Sequence, residues 1–174
     1  MVYGGRRIAV AAGLATLCLV AACAPRPEEQ VLARFFEASR ALDSTLLDRF
    51  ATVTLNPRTD GSIQTFTITG WGAEQRAPLT DARREPAIRS LSAPTGEDVT
   101  LTGMSVEMIS RDVTVQANVR MSDGAIAPEV LRVTLERAIG TRGNSTLDGR
   151  WIVTRLQRAP AARTSPGASS VPRS

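Results

Sequence analysis

The spacing of apolar residues changes once along this chain, and the change limits what the chain can fold into. Val31, Phe35, Ala38 and Leu42 recur at helical spacing, and Leu32 and Phe36 widen the stripe. From Ile63 onward the spacing is two, as in Val113, Val115, Ala117, Val119 and Met121. A helical start followed by half-buried strands implies an α+β domain with helices laid on an antiparallel sheet. Pro27 suits a helix first turn, and Glu28 and Glu29 favour its N-terminus, so a helix is predicted over Pro27–Leu42. Asp43 or Ser44 can cap a second helix, Thr45–Phe50, that buries Leu46, Leu47 and Phe50.

The strands follow. Ala51–Leu55 reads as a first strand, Asn56–Gly61 as a turn and Ile63–Trp71 as a second strand with Phe66 and Ile68 inward. Gly72–Pro94, with three prolines, reads as mostly irregular, with a helical turn near Asp81–Arg89. Val99–Ser110 and Val113–Met121 read as separate strands, with Arg111-Asp112 in a solvated turn between them. Ser122-Asp123-Gly124 is a tight turn, Ala127–Ala138 a strand and Gly140–Gly149 a polar loop. Arg150–Arg158 closes the sheet, with Trp151 and Val153 on one face and Ile152 and Leu156 on the other. In Ala159–Ser174, 8 of 16 residues are Pro, Gly or Ser, which predicts a disordered tail.

The chain opens differently. Arg6 and Arg7 precede Ile8–Val20, 13 residues without charge, and then Val20-Ala21-Ala22-Cys23. A basic start, a short apolar run and small residues describe a secretory signal, and 13 residues fall short of the roughly 20 that span a bilayer. Val20-Ala21-Ala22-Cys23 resembles the bacterial lipobox. The resemblance implies cleavage between Ala22 and Cys23, a diacylglyceryl group on the Cys23 thiol, and further acylation of the new amino group by a chain such as palmitate. Cys18 follows Leu17, too large for the position before the cleavage, and leaves with the signal. The expected organisation is a signal peptide over residues 1–22, a lipidated tether over 23–27, one domain over 28–158 and the tail over 159–174. The acyl chains make the membrane a partner, because two or more give stable anchoring. The resemblance implies the bacterial cell envelope, and Ala24 favours the outer over the inner membrane.

Composition narrows the chemistry. The chain has no His and no Lys, and its only Tyr is Tyr3 and its only Cys are Cys18 and Cys23. With Cys23 acylated, the mature chain lacks the usual general bases and nucleophiles, and it lacks the imidazole and thiolate of a zinc site. No cofactor, metal or catalytic residue is expected. The formal net charge is +4, but residues 27–158 hold 16 Arg against all 17 acids. The basic excess sits at the ends, so nucleic-acid binding is not indicated.

Two further stretches carry a resemblance. Phe35-Phe36-Glu37-Ala38 through Asp43-Ser44-Thr45-Leu46-Leu47, and the closing Gly149-Arg150-Trp151-Ile152-Val153, are similar to the start and end of NTF2-like domains. That superfamily implies a cone of curved antiparallel sheet closed by N-terminal helices, and a cystatin-like fold gives the same pattern. The superfamily spans enzymes, ligand pockets and interaction modules, so fold alone does not select a function. The expectation is a non-catalytic binding or interaction domain. The alternatives are a carrier of a small apolar ligand in the cone and an accessory subunit docked on an envelope protein. Trp71, Glu107 and Trp151 are the candidate pocket or interface residues, Glu107 because it is an acid in an apolar strand run.

Overall fold

The structure, a computed structural model, describes residues 25–92 and 99–159. Residues 1–24, where the signal peptide and Cys23 are expected, and residues 160–174 of the expected tail lie outside the described residues. Helix α1 (Pro27–Ala41) and helix α2 (Ser44–Phe50) come first. Strand β1 (Ser62–Trp71), strand β2 (Gln75–Pro78), helix α3 (Arg84–Leu91), and strands β3 (Ser105–Arg120), β4 (Ile126–Arg142), β5 (Ser145–Asp148) and β6 (Ile152–Arg158) follow. The class is α+β, with a curved antiparallel sheet shaped as a half-barrel.

The long strands β3 and β4 pair along their whole lengths. β1 and β2 lie end to end along the outer edge of β3, and β6 and β5 lie end to end along β4. α1 covers one face. Its Leu32, Phe35 and Phe36, at most 2% exposed, meet Val113, Val115, Val119, Leu131, Val133, Leu135 and Val153 in the main core. α3 covers one end of the opposite face, where Ala87 and Leu91 meet Val106, Met108 and Ala138 in a second, smaller core.

α1 ends where the chain changes hand. Leu42 adopts φ 54° and the Asp43 N–H reaches back to the Ala38 carbonyl at 3.0 Å. Leu42 thereby leaves the predicted stripe and is exposed. The Asp43 carboxylate then caps α2, accepting from the Leu46 N–H at 2.9 Å. Only Leu47 of α2 is buried, because a helix of 7 residues presents one narrow face. Leu46 is exposed and Phe50 half-buried, against the expectation for both.

Several strand boundaries also differ. Ala51–Leu55 forms no strand; Ala51 makes one isolated parallel bridge to Val153. Gly72–Pro94 is more regular than expected, holding β2, a 3-10 turn at Asp81–Arg83, and α3 through Leu91. β3 starts at Ser105 and runs unbroken through Arg111-Asp112, so those residues lie within a strand and not in a turn. The Gly140–Gly149 loop is the end of β4, a turn at Gly143-Asn144, and β5. Ala159 still donates to the Val130 carbonyl at 2.8 Å, so β4 holds the first residue assigned to the tail.

Bulges set which side chains face α1. β1 carries one extra residue between Ile63 and Thr65 and another between Ile68 and Gly70. Each inverts the parity, so Ile63, then Phe66 and Ile68, then Trp71 oppose core residues of β3. β6 has an extra residue, Thr154, between partners of Thr134 and Leu135. Val153 and Leu156 therefore share the α1 face, opposite to the strict alternation read from sequence.

Candidate functional site

The α3 side of the sheet is only part covered, and the uncovered part is a groove of about 640 Å³. Its floor is the row of side chains that alternation turns away from α1: Ser110 and Asp112 of β3, Arg132, Thr134 and Glu136 of β4, and Arg155 of β6. Arg83 and Pro86, at the start of α3, form one wall. The floor is polar because α1 takes the odd-numbered apolar residues of β3 and β4 for the other face.

Glu136 is the deepest charge, with its side chain 7% exposed. Arg83 Nε lies 3.4 Å from its Oε1. Burial holds the Glu136 carboxyl above its ordinary value of 4.5, and the charges of Arg83 and Arg155 act against that rise. Thr134 Oγ1 donates to Asp112 Oδ1 at 2.7 Å, and Thr154 Oγ1 leans on the Thr134 carbonyl at 3.4 Å. Glu85, on the rim, pairs with Arg89 at 2.9 Å. The three carboxylates of the groove are thus engaged, whereas the described residues give Arg132 and Arg155 no ion pair.

Ser90 holds α3 in place. Its Oγ accepts from the Ala138 N–H at 2.8 Å and donates to the Arg150 carbonyl at 2.7 Å. The Arg150 N–H in turn donates to the Ser90 carbonyl at 2.9 Å. Gly149 sits so close to this knot that a Cβ there would strike Ser90 Oγ and come within 2.6 Å of the Ala138 carbonyl oxygen.

The expected site residues do not converge. Trp71 faces the α1 side, between the guanidiniums of Arg26 at 4.9 Å and Arg111 at 5.9 Å. Arg111 also bridges Glu28 and Glu74, each at 2.8 Å, and fastens the start of α1 to the sheet. Trp151 is buried in the main core, with Arg137 at 5.3 Å from its ring. Glu107 is half-exposed and pairs with Arg76 at 3.0 Å. None of the three lines the groove. Cys23 and Ala22 lie outside the described residues. The sequence reading missed Glu136, which looks solvated beside the apolar Leu131, Val133 and Leu135. The signal was Ala87 and Leu91, one helical turn apart, which need a second apolar surface on the far side of the sheet.

Comparison with models of known families, with curated proteins and with solved structures finds no match.

Proposed function

We propose that this chain is a lipid-anchored lipoprotein of the bacterial cell envelope, at the outer membrane, carrying one non-catalytic binding or interaction domain. The observation that carries the reading is Val20-Ala21-Ala22-Cys23 behind 13 uncharged residues and the pair Arg6-Arg7. The architecture agrees with such a role. α1 begins at Pro27, four residues past Cys23, and Arg26 is already stacked on Trp71. The domain therefore starts close to its anchor, with little free tether.

Helices first and an antiparallel meander after them support an NTF2-like fold as the finer assignment. The interior that such a cone would offer to an apolar ligand is taken here by Leu32, Phe35 and Phe36. That filling favours an interaction domain over an apolar-ligand carrier. The open surface is the polar face under α3.

Cys23→Ser in the full chain tests the anchor. The variant is expected to incorporate no labelled fatty acid and to leave the membrane fraction or accumulate as precursor. Cys18→Ser is expected to label as the unaltered chain does. Labelling of the Cys23→Ser protein would refute the assignment.

A further inference from the structure

We propose that the groove beneath α3 binds a small soluble ligand through a carboxylate or phosphate held between Arg132 and Arg155. The register places the two together. Arg155 of β6 opposes Thr134 of β4, and Arg132 opposes Gln157, so the two arginines are diagonal neighbours on one face. Such neighbours stand about 7 Å apart, which lets two guanidiniums meet on one oxyanion. Neither has an ion pair among the described residues, while the nearby carboxylates are occupied: Glu136 by Arg83, Glu85 by Arg89, and Asp112 by the Thr134 hydroxyl. Two unpaired guanidiniums side by side repel, and an anion between them removes that repulsion.

The rest of the groove defines the ligand further. Asp112, which lines the same groove, has one oxygen not engaged by Thr134. A donor, either hydroxyl or amine, fits there, and a second acidic group is repelled. The ligand class is therefore a singly acidic molecule bearing hydroxyl or amino groups. The volume of about 640 Å³ and the wall at Arg83 and Pro86 suit a small molecule lying in a hollow.

This inference rests on the reading of the domain as a binding module, and it does not depend on the anchor. The test uses the full chain in detergent, labelled with nitrogen-15, with the arginine Nε–Hε resonances followed during titration with acetate and with inorganic phosphate. Saturable shifts of Arg132 and Arg155 are expected with at least one acid. Arg132→Gln combined with Arg155→Gln should abolish saturation, and each single variant should weaken it at least about fivefold. Arg34→Gln, on the exposed side of α1, should leave it unchanged. Both groove arginines are exposed, so the variants are expected to keep the circular dichroism of the parent. No saturation with either acid, or saturation that survives in the double variant, would overturn the proposal. Fatty-acid labelling at Cys23 would stand in either case, so failure of the groove and failure of the anchor are read separately.

Discussion

Within β4, neighbouring residues meet different surroundings. Leu131, Val133 and Leu135 point towards α1 and are at most 1% exposed. Arg132, Thr134 and Glu136, between and beside them, line an open polar groove. The sheet supplies both rows by its period of two, and the helices decide what becomes of each. α1 has 15 residues and closes its side; α3 has 8 and closes only the end near Met108 and Ala138. The comparison teaches that one sheet packs a core on one face and leaves the other open, where the proposed ligand binds. A change on the covered face is expected to cost folding, and a change on the open face to alter binding with little loss of stability.

The largest expected effect breaks the covered face. Phe35 is fully buried between Phe36, 5.4 Å away ring to ring, and the valines of β3. Phe35→Ala should cost about 3–5 kcal/mol. Arg34, one residue round the helix, is exposed and rests on Phe50 at 5.4 Å, so Arg34→Ala should cost less than about 1 kcal/mol. Urea denaturation measures both, and equal losses would mean that the assigned helix face is wrong.

A smaller effect bears on the edge of the groove. Ser90→Ala leaves the Ala138 N–H without its acceptor in a buried place, at a cost of about 1–3 kcal/mol. The loss should loosen α3 and speed hydrogen exchange at Ala138 and Arg150, while amides of β3 opposite β1 keep their protection. Uniform loss of protection would show that the two cores are a single unit.

The smallest effect concerns the floor of the groove and depends on pH. Burial raises the Glu136 carboxyl above 4.5 in the folded chain, so the folded state binds that proton more tightly than the unfolded one. The contribution of this group to stability therefore declines as pH rises from 4.5 towards the raised value. Glu136→Gln should raise the Tm modestly at pH 7, and the gain should disappear below about pH 4. Arg83, left without its partner, is one-third exposed and can hydrate. A loss of stability at pH 7 would show that the Arg83 pair outweighs the cost of burial.

The legible parts of the fold were those with a local cause. The stripe Val31, Phe35 and Ala38 and the cap at Asp43 located α1 and α2, and the run Val113 to Val119 located the core half of β3. The bulges at Gln64, Thr69 and Thr154 left no mark in the sequence, because an extra residue is defined only by the partner strand. The Thr69 bulge brings Trp71 to the face that Phe66 and Ile68 occupy, and the Thr154 bulge brings Leu156 to the face of Val153. Arg111-Asp112 resembled a turn because two charges interrupt an apolar run. In the fold they serve opposite faces, Arg111 bonding Glu28 under α1 and Asp112 taking the Thr134 hydroxyl on the groove floor. The candidate site was illegible for the same reason: Arg132 and Arg155 lie 23 positions apart in the chain and become neighbours only through the register of β4 with β6.

The division between the two faces is tested most directly by one substitution made at two adjacent positions of β4. Val133 is fully buried on the α1 side, and Thr134 lies half-buried on the groove floor beside Asp112. Asn at Val133 places an amide among side chains that offer it no partner, whereas Asn at Thr134 can still donate to Asp112. Thermal melts of Val133→Asn and Thr134→Asn compare them. The account predicts a fall of more than about 10 °C for Val133→Asn and of less than about 4 °C for Thr134→Asn, at roughly 4 °C per kcal/mol. Similar falls for the two variants, or the larger fall at Thr134, would contradict it.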